Sequence, residues 1–257
     1  MKLRSKFFLI LLVFSLVPLG AVAVISHWAM SRMGAVMSTD VHQSLIRLAN
    51  GILKVNTEGS AVILARSKLA VELALTALAY EAEAVLADDP PARVKVYFAS
   101  DFDESDTAPP DFGPQAGYMK RTDDGRLVND SVSFNHPVVL LAPGTSASDV
   151  AEDIDRLSLL TEVFSDLSWK MASTLHWLYV SLENGVHVAY PGHGGYPAGY
   201  DPRQRPWYVD ATDEIRWTLP LVDATTGQVI MTASKQVRSP DGSRAGVVAM
   251  DLLLTEV

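Results

Sequence analysis

Twenty uncharged residues, Phe7 to Ser26, stand directly behind Lys2, Arg4 and Lys6. At about 1.5 Å of rise per residue such a run makes a helix of roughly 30 Å, the thickness of a bilayer's hydrocarbon core. Basic residues before the run, and few close behind it, orient the N-terminus to the cytoplasm. Residues 1–6 therefore read as a cytoplasmic N-terminus and 7–26 as a transmembrane helix, with His27 and Trp28 at the outer interface. Ala21-Val22-Ala23 also has the form of a signal-peptide cleavage site, and Pro18 and Gly20 weaken the middle of the helix. Either way the rest of the chain lies outside the cytoplasm. The continuation of helical pattern past Ala23 favours an uncleaved anchor, a single pass through a cell (inner) membrane.

The remainder carries a second helical signal. From Trp28 to Ala87 the chain reads as helix, with a break near Gly59. Val41, Leu45, Leu48, Ile52 and Val55 recur every three or four residues and form one apolar stripe. Leu69, Leu73, Leu75 and Leu78 extend the apolar character. Asp88-Asp89-Pro90-Pro91 ends it, since proline cannot continue a helix and restricts its predecessor. Residues 27–88 are thus expected to be a stalk helix, whose stripe needs either the domain above or a second copy in a parallel homodimer.

Residues 89–152 read as an irregular insertion, with strand patterns at Val94–Ala99 and Val132–Leu141. The acidic cluster Asp101, Asp103, Glu104, Asp106 fails as an EF-hand, because Asp106 takes the glycine position and no glutamate closes the loop at Phe112. A solvated loop is the expectation. Asp153–Ala172 is helical, with Ile154, Leu157, Leu160, Phe164, Leu167 and Met171 on one face. Five strand patterns follow, at Leu175–Ser181, Val186–Tyr190, Arg216–Val222, Gln228–Val237 and Arg244–Leu252. Asn184-Gly185, Thr226-Gly227 and Pro240-Asp241-Gly242 supply the turns. The fold class is α+β, with helices packed on an antiparallel sheet of about five strands over residues 153–257.

The chain has 257 residues, a net charge of −9 and no cysteine. No basic patch is present for nucleic acid, and disulfides and thiolate metal sites are excluded. His187 and His193 lack a matching carboxylate set, so no metal is expected, and no cofactor motif occurs. Phosphate-loop, H-E-x-x-H and G-x-S-x-G spacings are missing as well, which argues against an enzyme.

The densest run of functional residue types extends from Tyr190 to Tyr208, in the excursion between the second and third strands. Arg205 offers a planar fork for a carboxylate. Trp207 offers an indole N–H, and Tyr200 and Tyr208 offer hydroxyls. The plain alternative is a loop pinned by its aromatics, with Arg203 and Arg205 paired to Asp201 or Asp210. Asp251 ends an apolar strand. It either meets a cationic partner, as a buried carboxylate requires, or caps a helix starting at Leu252.

Asp-Pro-Arg-Gln-Arg-Pro-Trp-Tyr, then Leu-Val-Asp-Ala-Thr-Thr-Gly, then Gly-Val-Val-Ala-Met-Asp resembles the membrane-distal module of a double Cache sensor, an extracytoplasmic PAS-like domain of bacterial transmembrane receptors. The resemblance covers about Leu175 to Asp251. It implies a ligand-sensing role in signal transduction, with a free amino acid or similar zwitterion as partner. In the amino-acid-binding subgroup a tyrosine precedes Arg-x-Trp-Tyr, and an aspartate ends a later strand. By that resemblance Arg205 and Trp207 hold the ligand carboxylate, with Tyr200 beside them. Tyr208 and Asp251 hold its ammonium, helped by Asp223. Leu221 departs from the pattern, standing where a further tyrosine is common. The rival readings are a membrane-anchored binding protein or an extracytoplasmic enzyme with no signalling role.

Overall fold

The computed structural model describes residues 58–104, 106–122, 124–172 and 174–254. The expected transmembrane helix at 7–26 and the stripe from Val41 to Val55 lie outside these residues. Among the described residues, no helix is long and apolar enough to cross a membrane. Contacts divide the chain into two units, Met1–Ala61 and Val62–Val257, and the second carries the fold described here.

Its centre is a sheet with two differently used faces. The strands are β1 (Tyr97–Phe98), β4 (Val138–Leu141), β5 (Leu175–Leu182), β6 (Val186–Tyr190), β7 (Arg216–Trp217), β8 (Leu221–Val222), β9 (Val229–Arg238) and β10 (Arg244–Leu253). Their order is β1-β4-β6-β5-β10-β9-β7, with β8 also on β9. β1 and β4 pair in parallel and every other pair is antiparallel. The sheet thus has eight strands where the sequence pattern gave five. β1 and β4 fall within the strand patterns at 94–99 and 132–141 of the region read as an irregular insertion, and the pattern at 216–222 divides into β7 and β8. That region also forms a separate two-stranded ribbon, β2 (Gly113–Arg121) with β3 (Leu127–Val132).

Period-two alternation assigns the faces. Leu178, Val180, Val188, Val248 and Met250 join one buried cluster with the helices. Trp177, Tyr179, Ala189, Val247 and Ala249 belong to a second cluster on the other face. The Asn184-Gly185 turn sets the β5–β6 register, with Gly185 at φ +94° as a tight hairpin needs.

Three helices cover the first face. In α1 (Glu58–Ala87) the buried residues are Val71, Ala74, Leu75, Leu78, Ala79 and Ala82, spaced three or four apart. Leu69 and Leu73 belong to the opposite side, 55% and 62% exposed. Trp217 Nε1 donates to Glu72 Oε1 at 3.1 Å, and Arg238 N to Glu83 Oε1 at 3.0 Å, which ties α1 to the far edge of the sheet.

The helix expected at 153–172 is two helices, α3 (Ala151–Ser158) and α4 (Thr161–Lys170). No proline or glycine breaks it. The Ser158 hydroxyl donates to Asp155 O at 2.6 Å and that of Thr161 to Ser158 O at 2.7 Å. Such hydroxyls compete with the helical ladder, and the junction tightens to Leu159 N–Arg156 O and Leu160 N–Leu157 O bonds. Leu157, Leu160 and Phe164 all remain buried in the core.

The acidic cluster is part helix and part loop, with Asp103, Glu104 and Asp106 exposed. Residues 99–103 form a short helix, α2 (Ala99–Asp103), and Asp101 Oδ2 accepts from Phe98 N at 2.7 Å at its start.

Candidate functional site

On the face away from α1, the segment after β6 folds back over the sheet and roofs a pocket. Gly192 makes this possible. It bridges to Ser133 in both directions, and a Cβ there would lie 2.1 Å from His136 O. Asp103 Oδ1 then accepts from Gly195 N at 2.9 Å, so α2 pins the roof from outside. A short 3-10 turn, Pro202–Gln204, leads into the one-turn helix α5 (Pro206–Val209). Asp201 starts that turn by accepting from Arg203 N, and its carboxylate also takes a two-pronged pair with the Arg203 side chain at 2.9 and 2.8 Å. Arg203 is therefore consumed in holding the loop, as the plain reading of the cluster expected.

Arg205 is not. It lines the pocket, its guanidinium carbon is 5.6 Å from the centre of the Tyr200 ring, and no described carboxylate pairs with it. Tyr200, Trp207, Asp223 and Asp251 line the same pocket. The cavity they enclose is small in this structure, about 30 Å³.

Tyr208 is the exception among the expected residues. It is buried, but under Arg244, whose guanidinium carbon is 4.6 Å from its ring centre. Trp207 and Tyr208 are adjacent on α5, and neighbouring helical residues do not share a face. With Trp207 in the pocket, Tyr208 must point elsewhere. Leu221, on β8, does line the pocket, so the departure noted in the sequence falls within the site.

Asp251 lies inside β10, and no helix begins at Leu252, which removes the capping alternative. It is 4% exposed and accepts from Tyr179 Oη at 2.8 Å and Thr232 Oγ1 at 2.6 Å, both on Oδ1. Burial, reinforced by the negative charge of Asp223, pushes its carboxyl up to about 7. Asp223 goes the other way. Burial alone would raise it, but donors from Thr226 and Thr225 outweigh this and hold it below the usual carboxylate range. All four of those bonds fall on Oδ2. No described residue donates to Asp251 Oδ2 or Asp223 Oδ1. The pocket thus holds an unpaired guanidinium, an ionised carboxylate and a second carboxyl poised to ionise, a set matched to a small zwitterion.

Sequence reasoning did not assign Tyr179, Trp177, His187, His193 and Tyr196, which also line the pocket. Tyr179 and Trp177 were legible in principle, because alternate positions of β5 share a face. The histidines were weighed as metal ligands, and His193 as an acid or base in the rival enzyme reading. Burial pushes His187 down to about 3 and lowers His193 also, leaving both rings neutral. Among the described residues no cluster of three or more potential ligands exists for a metal.

No protein-family model matches the chain. Relatives do. The chain is 34% identical over 132 residues to the methyl-accepting chemotaxis protein McpB of Bacillus subtilis, covering 44% of this chain and 19% of McpB. It is related in sequence to chemoreceptors. Chemoreceptor PctB of Pseudomonas aeruginosa is 35% identical over 89 residues, 34% of this chain and 14% of that one. The chain therefore spans about a fifth or less of these chemoreceptors' length. Among solved structures, the ligand-binding domain of the Pseudomonas fluorescens chemoreceptor CtaA, in complex with L-valine, is 34% identical, with a TM-score of 0.30 over 33% of this chain and 38% of that one. That of PctC from Pseudomonas aeruginosa, in complex with GABA, is 35% identical, with a TM-score of 0.30 over 36% and 40%. Identity across the matched segments, not superposition, carries the relationship.

Proposed function

We propose that this chain is the extracytoplasmic, ligand-sensing part of a transmembrane receptor and that its pocket binds a free L-amino acid. The observation that carries the reading is the uncommitted Arg205 facing the same pocket as Asp223 and Asp251. Arg205 and Trp207 take the ligand carboxylate, with Tyr200 packed on the guanidinium. Asp251 and Asp223 take the ammonium through the two oxygens that no described residue engages. Charge-assisted bonds of this kind are roughly twice as strong as neutral ones. Tyr208 supports the pocket from behind α5 without touching the ligand. The relationship to chemoreceptors supports the same reading.

Residues 7–26 anchor the chain, with residues 1–6 in the cytoplasm and 27–88 as the stalk. The chain pairs as a parallel homodimer. An apolar line on the outer side of α1 supports this, since Leu69, Leu73 and Tyr80 are 55%, 62% and 66% exposed and recur at spacings of four and seven. Signalling requires that ligand prefer one of two arrangements of these helices.

The test is a thermal-shift screen of the proteinogenic L-amino acids on the full chain in detergent. At one hundred times its dissociation constant a ligand adds about 2.7 kcal/mol of stability, and Arg205→Ala is expected to abolish that shift. A screen with no stabilising amino acid, on folded protein, refutes the assignment.

A further inference from the structure

The wall of the pocket behind the charged groups is a chain of neutral polar residues, and its hydrogen-bond polarity can be deduced. His193 Nδ1 lies 3.0 Å from Gly194 O, and a carbonyl only accepts, so Nδ1 carries the proton. The ring is neutral, so Nε2 is bare and accepts from the Tyr196 hydroxyl at 3.1 Å. Tyr196 has thereby used its proton and offers only lone pairs to His187 Nε2, 3.5 Å away. His187 Nε2 therefore carries its ring's proton, and bare Nδ1 accepts from the Ser181 hydroxyl at 2.6 Å. The backbone carbonyl fixes the orientation as far as Tyr196, and the Tyr196 contact carries it on to His187.

Its weak link is His187 Nε2–H to Tyr196. At 3.5 Å this contact sits at the limit of a hydrogen bond, whereas every other link is 3.1 Å or less. A buried donor so poorly used is costly to leave unmade. Trp177, in the same wall, adds another, because its indole N–H is buried without a partner. The wall is thus rich in donors and carries no charge.

We infer that His187, oriented by Ser181, is the residue that selects the ligand side chain, and that it selects a neutral one bearing an acceptor oxygen, a hydroxyl or a carboxamide. This rests on the amino-acid reading of the pocket and deepens it. A carboxamide satisfies the wall best, accepting from His187 and donating to the free lone pair of Tyr196. A purely apolar side chain of the same shape leaves the His187 donor desolvated. A site built to hydrogen-bond discriminates against isosteres lacking the group far more strongly than an apolar pocket discriminates by size.

Calorimetric titration of the full chain in detergent with near-isosteric pairs tests this, L-threonine against L-valine and L-glutamine against L-methionine. The oxygen-bearing member of each pair is expected to bind at least tenfold tighter. His187→Phe should bring both ratios to about one. His187→Gln, which returns an N–H near the position of Nε2, should restore the preference. His187→Gln also decides the matter if His187→Phe does not fold, since ratios near one in that variant refute the donor role of His187. Amino-acid binding with ratios near one in the unsubstituted chain overturns this inference and leaves the pocket assignment standing. No binding by any amino acid overturns the pocket assignment itself.

Discussion

Replacing Asp251 by Asn should make the ligand-free protein more stable while destroying its response to ligand. The argument is a linkage one. Asp251 is held up to about 7 by burial and by Asp223, whereas in the unfolded chain it titrates near 3.9. Between about pH 4 and 7 the native chain therefore keeps a proton that the unfolded chain releases. Stability falls as pH rises through this window, because native stability declines wherever the native state binds more protons. The gap amounts to about 4 kcal/mol once Asp251 is fully ionised. Asparagine has the same shape and still accepts from Tyr179 and Thr232, but carries no charge to bury. At pH 8 Asp251→Asn should gain up to about 4 kcal/mol, or roughly 10 °C in Tm at about 2–4 °C per kcal/mol. The gain should shrink to about 1.5 kcal/mol at pH 5 and vanish below pH 4. Melting curves of both proteins across that pH series, with and without the best amino acid from the screen, make the measurement. A variant less stable than the parent at pH 8, or a difference independent of pH, refutes the reasoning.

Arg203→Ala should leave ligand affinity unchanged in calorimetry, in contrast to Arg205→Ala, and cost no more than about 1 kcal/mol for its partly exposed pair with Asp201. Leu78→Ala on α1 empties a fully buried position and should cost about 2–5 kcal/mol in denaturant melts. Burial holds His176 down to about 4 and His187 to about 3. Below about pH 6.5 the unfolded chain binds protons at these rings that the native chain refuses, so they remove stability as pH falls. Together with His193, which burial also lowers, these histidines outnumber the single opposing Asp251, so net stability should fall as pH drops from 6 to 4, a slope that His187→Phe should flatten in pH-dependent melting.

The fold was legible wherever one local rule acted alone. The strands from Leu175 to Tyr190 and from Gln228 to Leu252 announced themselves by composition and by their Asn-Gly and Asp-Gly turns. β1 and β4 showed as strand patterns at Val94–Ala99 and Val132–Leu141, but not their place in this sheet, which is fixed by pairing with each other and with β6. The burial of α1 was readable as a helix but not as a face. In an Ala-rich segment, Leu69 and Leu75 look alike until the sheet selects one. In the pocket, the charged residues stood out because each is unusual in its setting. The donor wall escaped notice because Ser181, His187 and His193 become a unit only through hydrogen bonds between separate segments.

Asp251 and Met250 are neighbours on β10, yet one meets the pocket and the other the helices, and Tyr179 and Leu178 stand in the same relation on β5. Two selective regimes are therefore interleaved along each strand at single-residue resolution. When descendants of this chain adapt to a new ligand, change should concentrate at Trp177, Tyr179, His187 and their alternates, while the intervening positions stay apolar. A one-residue insertion within β5 or β10 is a different matter. It would carry every side chain beyond it to the opposite face, pressing a carboxylate against α1 and a leucine into the pocket. Such strands can diverge by substitution but not by length, and length variation should be confined to turns such as Pro240-Asp241-Gly242.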